Sequence, residues 1–466
     1  MRRPDEAFFA AALRELPGDF LSRDPADLET YGRDWTRVHA PDPSAVAFPR
    51  TTDEVARFVR LCHQHDVAVV PSGGRTGLAG GAVAHRGEVV LSLARMNRMD
   101  PVDATAHAVR VQAGAVTEAV HRHCEPAGLF WPVDFASKGS SQVGGNIATN
   151  AGGVRVVRYG VTRQWVLGLE VVTMGGEVLR LNGALEKNNT GPDLRQLFIG
   201  SEGTLGIITE ATLKLAPLPR EPIVFFFAVE SVAASLELFA RCRMEPAFQL
   251  SAFELVTRRC LELVVRDTGK RDPLETVAPA YVLVEVEPRG APEALDAWVE
   301  QLLESGAILD GTMSRSGRDA RELWSLREGI SECLARQGLL HKNDIDLPVS
   351  SLTAFIGEMD RELGRAYPDL QVYVFGHVGD GNLHVNIVKP DTMSDADFHR
   401  TCHAADEVLF GIVRAHAGSV SAEHGIGLLK KHALRYSRSP IELAIFRDLK
   451  RALDPKGLLN PGKIFD

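Results

Sequence analysis

Three glycine-rich segments constrain this chain more than any other feature: PSGGRTGLAGGAV (71–83), KGSSQVGGNIATNAGG (138–153) and GSEGTLGIIT (200–209). Glycine tolerates positive φ and lets backbone N–H groups come close to an anion. Short β-rich runs surround the segments, among them VAVVPSGG, EVVLSL, AVRVQAG and LGLEVVTMGGEVL. Helical patterns such as TDEVARFVRLCHQH and VTEAVHRHC lie between some of them. Residues 45–220 therefore read as an α+β arrangement with many turns. Ser72, Thr76, Ser140 and Thr149 add hydroxyl donors. Any one segment is equally consistent with an ordinary turn. Three in one domain point to a phosphate-bearing ligand. GGRTGLAGG lacks the G-x-G-x-x-G spacing, no acidic ribose ligand follows it, and G-K-[ST] is missing. The residues thus predict a dinucleotide-like ligand on a fold that is neither Rossmann nor P-loop.

A Pro-rich step, LAPLPREPIV around 215–223, marks a domain boundary. Beyond it helical stretches (VAASLELFARCR, PEALDAWVEQLLES, RDARELWSLREGISECLARQG) alternate with strand-like runs (IVFFFAV, AYVLVEVE, QVYVFGHV, LHVNIV). That pattern suits an antiparallel sheet covered by helices. The expected boundaries are 1–217, 218–420 and 421–466, the last packing back onto the first. The 466 residues carry a net charge of −9 with both signs interspersed. No basic block or tail occurs, which argues against a nucleic-acid partner. The six cysteines show no CxxC or other metal spacing and read as reduced, mostly buried thiols. MRRPDEAFFAAALRELPGDF has acidic residues inside its apolar stretch and reads as an amphipathic helix, not a signal peptide. No apolar run is long enough to span a membrane. A cytoplasmic location is the resulting expectation.

The most informative stretch is VYVFGHVGDGNLHVNIV (372–388). Its flanks are β-rich, and Asp380-Gly381 is a strong hairpin signal. With those two as the central turn residues, His377 and His384 become direct cross-strand partners, about 5 Å apart at Cβ. Asn386 shares the face of His384. Two such histidines can be structural, or they can begin a metal site. A second motif, GSVSAEHGIGLLKK (418–431), places Glu423 and His424 among glycines, as a tight loop before a helix. Alone it fits a capping Glu and an exposed His. It equally fits the carboxylate of a two-His, one-carboxylate set with open positions, suited to Zn²⁺ or Mn²⁺. In LWSLREGISECLARQGLLHKNDIDLP (323–348), Arg327 and Ser331 are i and i+4 on one helix, and Lys342 follows. An Arg fork and a Lys charge suit a carboxylate, although surface cations give the same pattern.

The order PSGGRTGLAGG, GGNIATNAGG, YGVTRQWVLGLEVV, LFIGSEGTLGIIT resembles the FAD domain of the vanillyl-alcohol oxidase superfamily. GHVGDGNLHVN and SAEHG narrow the resemblance to its D-2-hydroxy acid dehydrogenase branch, from about Tyr31 to the C-terminus. The resemblance implies a two-part FAD-binding domain followed by a substrate (cap) domain. It places FAD against Pro71, Ser72, Gly73, Gly74, Arg75, Thr76, Gly77 and Leu78 in the first loop. In the second it implies Ser137, Gly139, Ser140, Gly144, Gly145, Asn146, Thr149 and Asn150, and then Glu202, Gly206, Ile207 and Asn460. Arg75 stands where covalent relatives carry His, which implies non-covalent FAD. Arg75 itself either pairs with a phosphate or faces solvent. By the same resemblance His377, His384 and Glu423 hold one divalent metal, Zn²⁺ first, with Mn²⁺ or Co²⁺ as alternatives. His424 is then the catalytic base. Arg327, Ser331, Lys342 and Asn386 bind substrate, with Lys342 before Asn343-Asp344 resembling the branch that takes a diacid. The expected reaction is oxidation of D-2-hydroxyglutarate, or D-malate, to the 2-oxo acid. The alternatives are a D-lactate or glycolate dehydrogenase and a non-catalytic FAD-binding subunit. Electrons would leave to an external acceptor such as an electron-transfer flavoprotein or quinone, from a homodimer.

Overall fold

A computed structural model describes residues 3–290 and 293–465. The chain divides into two units. The first comprises residues up to Gly153, Gly160–Leu218 and the segment from Glu423. The second comprises Val154–Tyr159 and Pro219–Ala422.

In the first unit, β1 (Leu21–Ser22), β2 (Ala45–Ala47), β3 (Val69–Ser72) and β4 (Val89–Ser92) form one sheet in the order β1-β2-β4-β3. β2 and β3 both run parallel to β4, and these short apolar strands are almost wholly buried. The amphipathic helix Thr52–Gln64 connects β2 to β3, with Thr51 capping its first turn through the Glu54 amide. A second sheet is antiparallel, in the order β5-β9-β7-β8: β5 (Ala108–Gln112), β7 (Val166–Val172), β8 (Val178–Leu181), β9 (Ile207–Lys214). A small ladder pairs β6 (Leu129–Phe130) with β10 (Ala216–Pro217). Each glycine-rich segment is anchored by a regular element. The first leaves β3, the second enters helix Val143–Thr149, and the third runs into β9. The C-terminal segment returns beside β3, where Val69 donates to Leu458 and Asn460 donates to Val69.

The second unit is one seven-stranded antiparallel sheet in the order β14-β11-β13-β12-β16-β17-β15. Its strands are β11 (Ile223–Val229), β12 (Phe248–Thr257), β13 (Ala280–Pro288), β14 (Asp310–Met313), β15 (Leu340–Asp346), β16 (Gln371–Gly376) and β17 (Asn382–Val388). β11 and the first five residues of β13 are apolar on both faces because both faces are covered. Phe226 stacks on Tyr281 in the cluster shared with helices Arg258–Thr268 and Gly317–Arg336. Phe225, Phe227 and Phe248 meet Trp298 of helix Glu293–Glu304 on the other side. Residues 154–159 join this unit through two ion pairs that the sequence reading did not anticipate. Arg155 Nε donates to Glu285 at 2.8 Å, and Arg158 pairs with Glu287 and donates to Ser251.

All six cysteines are buried and unpaired with one another. Among the described residues no helix is long and apolar enough to cross a membrane. Phe226 is fully buried, so Phe226→Ala should lower the unfolding free energy of the second unit by about 3–5 kcal/mol. Chemical unfolding followed by tryptophan fluorescence checks this through a shifted midpoint at constant slope.

Candidate active site

In the first unit the glycine-rich segments line one cleft. Its walls include Pro71, Ser72, Gly73, Gly74, Arg75, Thr76 and Gly77, then Gly144, Gly145, Asn146 and Thr149, then Glu202, Gly206 and Ile207. Gln142, Leu93 and His424 also line it. Gly74 is obligatory: a Cβ there would sit 2.2 Å from the Ser140 carbonyl oxygen. Two buried polar atoms in this wall, Ser72 Oγ and Gln142 Oε1, have no hydrogen-bond partner. Buried polar atoms are rarely left so, and a polar ligand in the cleft would satisfy them. The cleft therefore fits a cofactor held by backbone amides and short polar side chains.

Six residues expected at the cofactor do not line the cleft. Gly139 and Ser140 are exposed in the turn that Ser137 begins by accepting from the Ser140 amide. Leu78 lies outside the cleft wall. Asn150 takes positive φ at the end of its helix and accepts from the Arg163 amide. Asn460 donates to the carbonyls of Gly81 and Glu202, clamping two loops together. Arg75 places its guanidinium 4.4 Å from the centre of the Tyr31 ring and donates to the Gly73 carbonyl. Desolvation pulls its pKa down.

Glu202 lines the cleft, and its carboxylate also does structural duty. One oxygen accepts from the Ile426 amide at 2.7 Å and the other from the Gly427 amide at 2.8 Å. Burial raises its pKa, against the pull of those two amides. The carboxylate fixes the irregular loop that carries His424. Gly427 has φ +48°, and a Cβ there would lie 2.1 Å from the Ala79 carbonyl oxygen.

In the second unit the β16–β17 connection is longer than the two-residue turn expected. Phe375 faces His384 across the strands, so the register differs by two residues from the one the Asp-Gly signal predicts. His377 lies past the end of β16, and its carbonyl accepts from the Asp380 and Gly381 amides. His377 and His384 are nonetheless adjacent, because residues 375 and 377 point the same way. Their ring centroids are 5.3 Å apart at 83°.

Two buried carboxylates stand behind these imidazoles. Glu254 of β12 is fully buried, with Oε1 2.7 Å from His377 Nδ1 and Oε2 accepting from Arg327 Nε at 2.8 Å. Burial pushes its pKa up, but His377 and Arg327 outweigh that and hold it below the ordinary range. Asp344, the cross-strand partner of His384, lies 3.7 Å from His384 Nδ1 and accepts from Asn382. Neither acid was singled out from the sequence. The available signals were a Glu inside the apolar run SAFELVT and an Asp alternating in HKNDIDLP.

The same sheet face carries the expected substrate residues. Lys342 and Asn386 are cross-strand partners on β15 and β17. Asn386 is buried and Lys342 is exposed, yet desolvation of the ammonium lowers its pKa. Arg327 is buried in helix Gly317–Arg336, over the Phe375 ring at 4.7 Å, and its Nη2 has no partner. Ser331, one turn on, is exposed.

Comparison with known proteins places this geometry. The family profile described as FAD linked oxidases, C-terminal domain, matches residues 218–464, and a FAD binding domain profile matches 43–182. A D-2-hydroxyglutarate dehydrogenase of Xanthomonas citri pv. viticola is 49% identical over 97% of this chain and 95% of that protein. The chain belongs to the D-2-hydroxyglutarate dehydrogenase family. A second D-2-hydroxyglutarate dehydrogenase, from Stutzerimonas stutzeri, is 45% identical over 96% of both chains. In fold, the chain is similar to p-cresol methylhydroxylase: TM-score 0.76 at 18% identity, covering 99% of this chain and 98% of that one. The chain is thus an FAD-dependent oxidoreductase of the FAD-linked oxidase type.

The Glu202 carboxylate can be tested directly. Glu202→Ala should strip two amides of their acceptor, loosening the loop by about 1–3 kcal/mol. Hydrogen exchange in a peptide spanning residues 424–429 should accelerate by tenfold or more, on the order of what that energy implies. Unchanged protection would show that the loop is held by other contacts.

Proposed function

We propose that this chain oxidises D-2-hydroxyglutarate to 2-oxoglutarate, with FAD bound non-covalently in the glycine-rich cleft and one divalent metal at His377, His384 and Glu423. D-Malate is the next candidate substrate. The observation that carries the reading is the array on one sheet face of the second unit: two adjacent imidazoles, Asn386, and two cations, Arg327 and Lys342. The buried Nη2 of Arg327 lacks a partner, which is what an absent carboxylate would leave. Arg offers a fork to a carboxylate and Lys a point charge, so a second, distal carboxylate has its own receptors. Ser331 adds a hydroxyl from the same helix.

The donor set fits a metal. Two imidazoles and a carboxylate suit Zn²⁺, Mn²⁺ or Co²⁺ with positions open for substrate. Chain connectivity supports Glu423 as the third ligand. Ser419 is bridged to Asp346 of β15, and Glu423 follows four residues later, within about 14 Å of extended chain. The metal, when bound, supplies Lewis acidity that lowers the pKa of the substrate hydroxyl. FAD held by the glycine-rich cleft would supply the two-electron acceptor for the hydrogen at C2. His424 takes the hydroxyl proton as general base, and its place in the cofactor cleft wall supports that role. Arg327, Lys342, Ser331 and Asn386 hold the substrate carboxylates and fix which face of C2 is presented. By this reading residues 1–217 and 421–466 form the FAD part and 218–420 the substrate part. Electrons pass on to an external acceptor, an electron-transfer flavoprotein or a quinone. The family resemblance supports a homodimer, and buried, unpaired cysteines suit a reducing compartment such as the cytoplasm.

Anaerobic flavin bleaching by a panel of D- and L-2-hydroxy acids tests the substrate. D-2-Hydroxyglutarate should reduce the flavin fastest, and faster bleaching by D-lactate or glycolate would overturn the assignment. Chelation should abolish reduction, and Zn²⁺, Mn²⁺ or Co²⁺ should restore it. His424→Ala should slow reduction by about 10²–10⁴-fold with the flavin still bound. A near-parental rate sinks the base assignment. Lys342→Ala should reduce kcat/KM more for D-2-hydroxyglutarate than for D-lactate, and equal losses would exclude a distal-carboxylate role.

A further inference from the structure

Glu254 touches both parts of the proposed site, and it is fully buried. We propose that Glu254 is a positioning residue that holds His377 and Arg327 from opposite oxygens of one carboxylate. It thereby fixes the metal ligand and the diacid-binding cation in a single register. The inference rests on the metal and diacid reading above.

The geometry is specific. Oε1 lies 2.7 Å from His377 Nδ1, and Oε2 accepts from Arg327 Nε at 2.8 Å. An ionised carboxylate can only accept, so the imidazole must donate from Nδ1. That selects the tautomer whose Nε2 carries the lone pair, the atom a metal needs. Metal-bound histidines commonly donate their second ring N–H to a carboxylate in this way, which fixes ring orientation and raises basicity. Asp344, at 3.7 Å from His384 Nδ1, accepts from Asn382. Glu254 clamps His377 directly at 2.7 Å.

Arg327 is the second client. Its Nε is committed to Glu254 and its face to Phe375, while Nη2 is left buried without a partner. A guanidinium held at Nε cannot swing, so Nη2 projects in one direction. Loss of Glu254 would release both groups at once, and an uncompensated buried cation would relax away from its place. A purely structural ion pair predicts lost stability alone. The shared clamp predicts two further effects: weaker metal binding and weaker preference for a diacid.

The test uses full-length flavoprotein carrying Glu254→Gln and, separately, Glu254→Asp. Metal affinity is read by competing a chromogenic chelator for Zn²⁺ against the metal-stripped protein. Glu254→Gln should bind Zn²⁺ about 10–100-fold more weakly than the parent at equal flavin content. Its ratio of kcat/KM for D-2-hydroxyglutarate over D-lactate should fall, and Glu254→Asp should recover part of both losses. Parental affinity and an unchanged ratio would overturn the inference while leaving the metal reading intact. A parent that binds no Zn²⁺, Mn²⁺ or Co²⁺ would remove the metal reading and this inference with it. If the variants do not fold, ¹⁵N-histidine spectra of the metal-stripped parent decide, with His377 assigned by His377→Asn. A proton on Nδ1 is required, and a ring protonated on Nε2 alone overturns the proposal.

Discussion

A carboxylate with no exposure to water is the constraint around which the second unit is arranged. Removing Glu254 from water is unfavourable by several kcal/mol unless its oxygens are paired. Both are paired, one by an imidazole and one by a guanidinium, and the net effect keeps the acid ionised. Those partners arrive from far along the chain, His377 from the β16–β17 connection and Arg327 from the helix that covers the sheet. The strand order β12-β16-β17-β15 brings them together. Apolar packing of Val256, Tyr373 and Phe375 beneath that helix excludes the water that would otherwise screen the charges. The hydrophobic cluster and the polar one are thus mutually dependent.

The first unit meets a different demand. Its cleft must let backbone approach a large anionic ligand, so side chains are removed where loops meet. Gly74 against Ser140 and Gly427 against Ala79 are two such meetings. Loops stripped of side chains need holding by other means. Asn460 bonds two loop carbonyls, and Glu202 bonds two loop amides. Both residues take positive φ themselves, which aims a side chain into a space that an ordinary backbone would not reach.

Much of this was legible in the chain. The change from glycine-punctuated strands to a helix-and-strand texture gave the two-part α+β architecture and the antiparallel sheet. The two histidines came together, but by another route. A two-residue Asp-Gly turn implied direct opposition, whereas the connection has room for His377 outside the ladder, and the pair meets diagonally. Turn residues report conformation at the turn, while register depends on where the ladder closes, and only strand pairing reveals that. Gly139, Ser140 and Asn460 show a related limit. A loop's motif identifies the loop, but which of its residues face the ligand depends on backbone direction. Glu254 and Asp344 were beyond local reading because their meaning lies in partners more than 30 residues away. The attachment of residues 154–159 to the second unit is of the same kind, resting on ion pairs to β13.

Arg327 and Lys342 show why the proposed substrate face is better understood with an anion in mind. A buried guanidinium nitrogen without an acceptor is destabilising, and folding alone does not favour it. It becomes favourable when a carboxylate supplies the missing acceptor, since a ligand stabilises the state that binds it. Asn386 lies beside Lys342 in the ladder and can orient the same anion through its amide. On the proposed reading both cations face the distal carboxylate, which a diacid carries and a monocarboxylate lacks, and that difference, more than the presence of positive charge, is the basis for choosing between substrates.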